Sequence, residues 1–317
     1  MKPVYKLILA SLFSYIICSL LHSIWSKGIF RYEIHKNERY RHLFLDTAYH
    51  DILFIGTSKI HTGVNPRVID SICKADSYNA GVEGGSLYEM GGTFFAYLEN
   101  HRPPEYLFLT LDLFSFHTSA KLFNYTTYIP YRRNKVIRNM LRETGDYTTL
   151  HQAMPFLVLT DLDDYTKMNA VKGFAGKTEI PEGEFHFKGF LSNSEEILNF
   201  DTVSSIKPFS DLIIDSLGVK ILHEIIEVCN KKNIRLVFTN APEYKRGIQK
   251  AQNNANQFFQ FVEAITGKNN IPCLRHDSLS ICNDPSLFAN IGHLNKPGAE
   301  VYSAILGNEI LKFKKKK

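Results

Sequence analysis

The chain has 317 residues, 44% of them hydrophobic and 22% charged, with a formal net charge of +5. That length suits one large α/β domain or two small ones, with enough apolar residues for a full core. The charge is mild, and part of it lies in a basic end over residues 312–317 that reads as a solvated tail. No interleaving of aromatic and basic residues argues for nucleic acid as a partner. Cys18, Cys73, Cys229, Cys273 and Cys282 match no zinc or redox spacing and read as buried free thiols. No His-Glu-x-x-His motif or carboxylate cluster supports a metal, and no cofactor is expected. The stretch GFAGKT at 173–178 lacks a phosphate-loop glycine, since Val171 stands in its place.

In chain order, residues 1–26 read as a transmembrane anchor. Leu7 to Trp25 carries no acidic or strongly basic residue and follows Lys2 and Lys6. At ~1.5 Å per residue it nearly spans a hydrocarbon core of ~30 Å. A single pass with the lipid bilayer as partner is the expectation, with no clear cleavage site after it. Lys27, Arg31, Lys36, Arg39 and Arg41 follow the run, so the positive-inside bias would keep the main domain in the cytoplasm. Large domains translocate largely regardless of that bias, which leaves orientation open. Residues 27–50 are polar with aromatic punctuation and read as a stalk.

Residues 51–317 carry the main domain. Asp51 to Gly56 is a short apolar run closed by glycine, hence a buried strand, followed by a helix over Pro66–Lys74. Ser77–Gly81 and Tyr106–Asp112 are further strands, with a helix over Ser86–Asn100 between them. Residues 119–210 break this rhythm with weak periodicity and read as an insertion lying over the active face. Alternation resumes with a helix to Lys232, a strand at Ile234–Thr239, a helix over Gly247–Thr266 and a strand at Ile271–Arg275. A final helix covers Pro297–Phe313, with Pro297 in its first turn. Strands alternating with helices predict a three-layer α/β/α sandwich around a mainly parallel sheet of about five strands. In such sheets ligands sit beyond the carboxyl ends of the strands. Ser58, Gly84, Asn240 and His293 all fall there or in the loop before the last helix.

Three blocks carry a resemblance: Gly56-Thr57-Ser58 with its Gly-Val-Asn-Pro turn, the NAGVEGG turn at 79–85, and FANIGHLNKPGA at 288–299. Together they resemble the SGNH, or GDSL-like, hydrolase superfamily, over roughly residues 51–117 and 234–317. Similarity is nearer to its membrane-anchored branch, which includes the teichoic-acid D-alanyl transfer and alginate O-acetylation proteins. The resemblance implies a flavodoxin-like sheet, a Ser58 nucleophile, His293 as general base and acid, and an oxyanion hole from the Ser58 and Gly84 N–H groups. The family's oxyanion asparagine after the third strand is absent here, which leaves Ser115 or Asn240 as a further donor. Asn290 stands where the family has the aspartate that orients the histidine, with Asp277 and Asp284 nearby in sequence. A serine hydroxyl becomes a competent nucleophile only when a base takes its proton. An asparagine can accept the ring N–H but does not stabilise imidazolium as a carboxylate does.

The implied function is a serine esterase or O-acyltransferase acting on acyl esters of cell-envelope glycans. It would sit on the outer face of a bacterial cytoplasmic membrane, beside a multi-span membrane acyltransferase. The alternative is a catalytically inactive scaffold or glycan-binding subunit of an envelope polysaccharide modification system. Lys59, His61 and the glycines at 81, 84 and 85 also have plain readings, as solvated surface and as a tight turn.

Overall fold

The structure is a computed structural model and describes residues 3–117, 121–123, 125–160, 162, 164–178, 186–193, 212–245 and 252–315. The chain divides into two compact units, a helical one from residues 1–42 and 124–182, and a sheet unit from residues 43–123 and 183–317.

In the helical unit, α1 (Pro3–Tyr32) runs almost without interruption into α2 (Ile34–Phe44). The segment expected to be a stalk is therefore helical over most of its length. Its aromatics explain why: Tyr40 packs edge-on against Tyr128 at 5.8 Å, and the buried Tyr131 hydroxyl donates to Asn37 O at 2.8 Å. Part of the expected insertion supplies α6 (Lys135–Glu143), α7 (Thr149–Ala153) and α8 (Asp164–Phe174) to this unit. Residues 194–210 of that insertion lie outside the described residues.

The sheet unit holds five parallel strands: β1 (Ile52–Ile55), β2 (Ser77–Asn79), β3 (Tyr106–Thr110), β6 (Arg235–Thr239) and β7 (Cys273–Leu274). Their spatial order is β2-β1-β3-β6-β7, with Ile52 opposite Tyr106 and Tyr106 opposite Arg235. This is the doubly wound order of flavodoxin-like sheets, whose switch point lies between β1 and β3. Every residue of β1 and β3 is buried, which accounts for their unbroken apolar sequences. The helices α5 (Leu87–Asn100) and α9 (Ser216–Lys232) pack together on the sheet unit, and α4 (Pro66–Cys73) packs on α11 (Lys296–Lys315). Gly91 permits the first approach, since a Cβ there would lie 2.4 Å from the Ile221 side chain. Beneath α4 and α11, Phe54, Phe108, Ile69, Tyr302 and Leu306 share one core. The α10 helix (Gln252–Asn269) completes the α/β alternation.

The ends of these helices are set by local chemistry. The Arg67 N–H donates to Asn65 Oδ1 at 3.0 Å, with Pro66 opening α4, and the Gly298 N–H donates to Asn295 Oδ1 at 3.0 Å at the start of α11. A hairpin of β4 (His186–Phe187) and β5 (Phe190–Leu191) turns through Lys188 and Gly189, at φ 46° and 82°. The Asn79 N–H donates to Lys188 O at 3.0 Å, so this hairpin covers the β2 edge. A Cβ at Gly189 would lie 2.0 Å from Asn79 O, which restricts this turn to glycine.

Candidate active site

Ser58 is the first residue of α3 (Ser58–Gly63), a short helix that begins three residues beyond the end of β1. The sequence shows a strand followed by a turn here. Six residues are too few to display a helical period, so this element was not legible. Buried Asn79 at the end of β2 holds α3 in place. Its amide donates to Ile60 O and Val64 O, each at 2.7 Å, and its Oδ1 accepts from Gly81 N at 3.0 Å. Asn79→Ala leaves Val64 O and the Gly81 N–H unsatisfied, while Ile60 O keeps the Val64 N–H at 3.1 Å, at ~1–3 kcal/mol for each buried group left without a partner. The expected result is a loss of about 3 kcal/mol in urea unfolding with the m-value unchanged. A loss below about 0.5 kcal/mol would show that α3 does not depend on this amide.

His293 opens β9 (His293–Leu294), which pairs antiparallel with β8 (Phe288–Asn290), so it sits in a small hairpin rather than a plain loop. The Tyr244 N–H donates to Ile291 O at 2.9 Å and ties this hairpin to the segment after β6. From the other side, Asn193 Nδ2 donates to Leu294 O at 2.7 Å.

The structure brings Ser58, His293 and Asn290 together. Ser58 Oγ is 2.8 Å from His293 Nε2, and His293 Nδ1 is 2.9 Å from Asn290 Oδ1. The Gly292 N–H donates to the same Oδ1 at 3.0 Å. That third contact settles the tautomer. A backbone N–H can only donate, so the asparagine atom between Gly292 and the ring is the carbonyl oxygen. The ring nitrogen facing it must then carry the proton. Nε2 is left as the acceptor of the serine hydroxyl, as a general base requires. In a serine protease an Asp→Asn change at the orienting position costs ~10⁴ in turnover, largely through the wrong tautomer, and here the Gly292 amide selects against that tautomer.

Burial, and then the Lys59 ammonium, hold the His293 imidazole below its ordinary value of 6.5, against the opposing pull of Asp112 and Glu83. The ring is therefore neutral at neutral pH.

A cleft of about 450 Å³ opens over these groups, lined by Ser58, Gly84, Asn290 and His293 and by Leu113, Phe114 and Ile291. Gly84 adopts φ +61°, in the left-handed region that favours glycine. Ser115 is not at the cleft. Its hydroxyl accepts from Asp112 N at 2.8 Å and donates to Asp112 Oδ1 at 3.2 Å, so its proton is already used in the turn. Asn240 does not line the cleft either, and its Oδ1 accepts from the His276 N–H at 2.8 Å. Asp277 pairs with Arg275 at 2.8 Å, and Asp284 accepts from Ser286 N at 2.9 Å. Neither lines the cleft.

Sequence reasoning missed the charges beneath Ser58. Lys59 is largely buried rather than solvated, paired with Glu243 and 3.6 Å from Asp112 Oδ2. Asp112 also accepts from Thr57 Oγ1 at 2.9 Å and from Phe114 N at 3.0 Å. Burial opposes charge on Lys59, but Glu243 and Asp112 outweigh it and hold its pKa above the ordinary lysine range. His61 is likewise buried, with Nδ1 3.0 Å from Glu83 Oε1. The available signal was position: Ser58, Asp112 and Glu243 each follow a strand of one sheet within a few residues of its carboxyl end. Among the described residues, no group of three or more His, Cys, Asp or Glu side chains could hold a metal ion.

The sheet order and its rim define an α/β protein with a serine–histidine pair at the switch point. No family model matches the chain, and no curated protein matches it. Among 16 matching chains of solved structure, one is described as a lipolytic protein of the G-D-S-L family from Desulfitobacterium hafniense DCB-2. It is similar at a TM-score of 0.40 and 10% identity, over 81% of this chain and 97% of that one. The chemistry of the site rests on its own geometry.

Proposed function

We propose that this protein is a serine esterase or O-acyltransferase of SGNH type, acting on acyl esters of cell-envelope glycans. The observation that carries this reading is Ser58 Oγ at 2.8 Å from a His293 whose tautomer is set for general-base catalysis. Ser58 Oγ attacks the ester carbonyl while His293 Nε2 takes its proton. The Ser58 and Gly84 N–H groups hold the tetrahedral oxyanion, each donor worth ~3 kcal/mol. The imidazolium then protonates the departing alkoxide, leaving acyl-Ser58. Water or a sugar hydroxyl gives its proton to His293, attacks the acyl carbon and frees the serine.

The cleft's apolar lining from Leu113, Phe114 and Ile291 suits a small acyl group, and its open mouth suits a bulky glycan. Attachment is through α1, which is long and apolar enough to cross a membrane. In this reading the sheet unit lies outside a bacterial cytoplasmic membrane, beside a multi-span membrane acyltransferase.

Turnover of a short-chain nitrophenyl ester by wild type and Ser58→Ala tests the core of this proposal. Loss of turnover in the variant is expected, and equal rates would sink it. Adding glycan hydroxyls then separates hydrolysis from transfer by the product formed.

A second reading, an inactive scaffold, is favoured by the neutral Asn290 facing the ring. Asn290→Asp distinguishes the two. Because the tautomer is already correct, the variant is expected to gain only about 10- to 100-fold in kcat rather than ~10⁴. A carboxylate would also raise the His293 pKa, moving the acid limb of kcat/KM to higher pH. Activity that appears only in the variant would favour the scaffold.

A further inference from the structure

The helical unit contains an element that no catalytic argument uses. The end of α7 and the 3-10 turn after it, Pro155–Thr160, pack along α1. The Tyr15 hydroxyl donates to Ala153 O at 3.3 Å, and the Tyr15 and Phe156 rings meet edge-on at 5.8 Å. Tyr15 lies well inside the apolar run of α1. Ten residues separate it from Trp25, ~15 Å along a helix.

From there the chain follows α1 toward its C-terminal end. Gly173 of α8 touches Gly28 so closely that a Cβ would lie 1.9 Å from Gly28 O, and Lys172 Nζ sits 5.6 Å from the Tyr32 ring centroid. While Ala170 and Gly173 are buried, Tyr165, Met168, Val171 and Phe174 form a stripe at three-residue spacing, each more than half exposed. On α7, Leu150 is more than half exposed as well, and Met154 just after it is also exposed.

We infer that α7, the turn after it and α8 form a second membrane-contacting element, entering the same leaflet as the C-terminal half of α1 with a phospholipid bilayer as its ligand. This rests on the reading of α1 as a retained anchor. Depth selects the occupant. A segment bonded to Tyr15 shares the surroundings of Tyr15, and apolar side chains pointing outward there meet acyl chains rather than water. Lys172 beside Tyr32 then falls toward the headgroup level, where basic and aromatic residues are favoured. Amphipathic elements of this kind bury their apolar face ~5–10 Å into the headgroup and acyl boundary. Residues 149–174 of the insertion are thereby assigned a membrane role.

The test uses the full chain in phosphatidylglycerol and phosphatidylethanolamine vesicles containing a phospholipid with a carbene-generating acyl chain. Photolabelled peptides are mapped by mass spectrometry. Label is expected in α1 and in residues 149–160. Leu150→Glu combined with Met154→Glu is expected to lower the second signal about tenfold and leave the first unchanged. Far-ultraviolet circular dichroism equal to that of wild type reports that the variant keeps its helices. Label in α1 but none in residues 149–160 overturns this inference and leaves the anchor standing. No label in α1 overturns both. No label in residues 149–160 together with a dimer mass by light scattering would assign the face to a second copy of the chain, and overturn it too.

Discussion

His293→Ala is expected to lower kcat for ester turnover by about 10⁴-fold or more, with KM changed little. In a serine–histidine pair the imidazole acts only after the hydroxyl begins to attack, so its removal costs transition-state stabilisation rather than substrate binding. At 2.8 Å, Nε2 is already within proton-transfer reach of Ser58 Oγ. The oxyanion donors proposed at Ser58 and Gly84 would survive the substitution and leave a residual of ~10³-fold over water. A loss below about tenfold would mean that another base serves Ser58. The pH profile follows from the same ring. His293 must be neutral to accept a proton, and its pKa is depressed below 6.5, so activity is expected to persist below that pH. An acid limb above 6.5 would contradict the burial that depresses it.

Lys59→Met is expected to have a large effect on stability. It leaves the Asp112 and Glu243 carboxylates without their shared cation, and breaking a buried ion pair from one side costs ~3–5 kcal/mol. Asp112 keeps its bonds from Thr57, Phe114 and Ser115, so the lower end of that range is the expectation. The raised Lys59 pKa has a definite sign. Its contribution is fully present below the unfolded lysine value of 10.5 and is lost as pH rises through the folded one. Activity reports a second consequence. Without the ammonium, one of the two influences depressing His293 is gone and the Asp112 charge is uncompensated, so the acid limb moves to higher pH. A variant that is destabilised with an unmoved acid limb would make Lys59 purely structural.

The sheet was readable because β1 and β3 are buried on both faces, with Thr110 at the end of β3 the one polar residue other than a tyrosine in the two strands. Their order followed less directly, since pairing depends on the alternation of helices rather than on any strand alone. Ser58 and His293 were legible through the blocks around them, and Asn290 through its spacing. Its consequence was not, because the Gly292 N–H that fixes its carbonyl leaves no trace in a side-chain pattern. Lys59 misled for a related reason. A lysine beside a turn reads as solvated until Asp112 and Glu243, 53 and 184 positions away, arrive from other strand ends. The insertion was opaque because α8 buries only glycine, alanine and asparagine and exposes its large apolar side chains, which inverts the usual amphipathic signal.

The central claim is that Ser58 is a nucleophile activated by His293. Its most direct test is reaction of the full chain with a fluorophosphonate, read by intact mass and peptide mapping. One adduct on Ser58 is expected in wild type, none in Ser58→Ala, and a much slower one in His293→Ala. An unmodified Ser58 in wild type, or an adduct formed at the same rate without His293, would contradict the account.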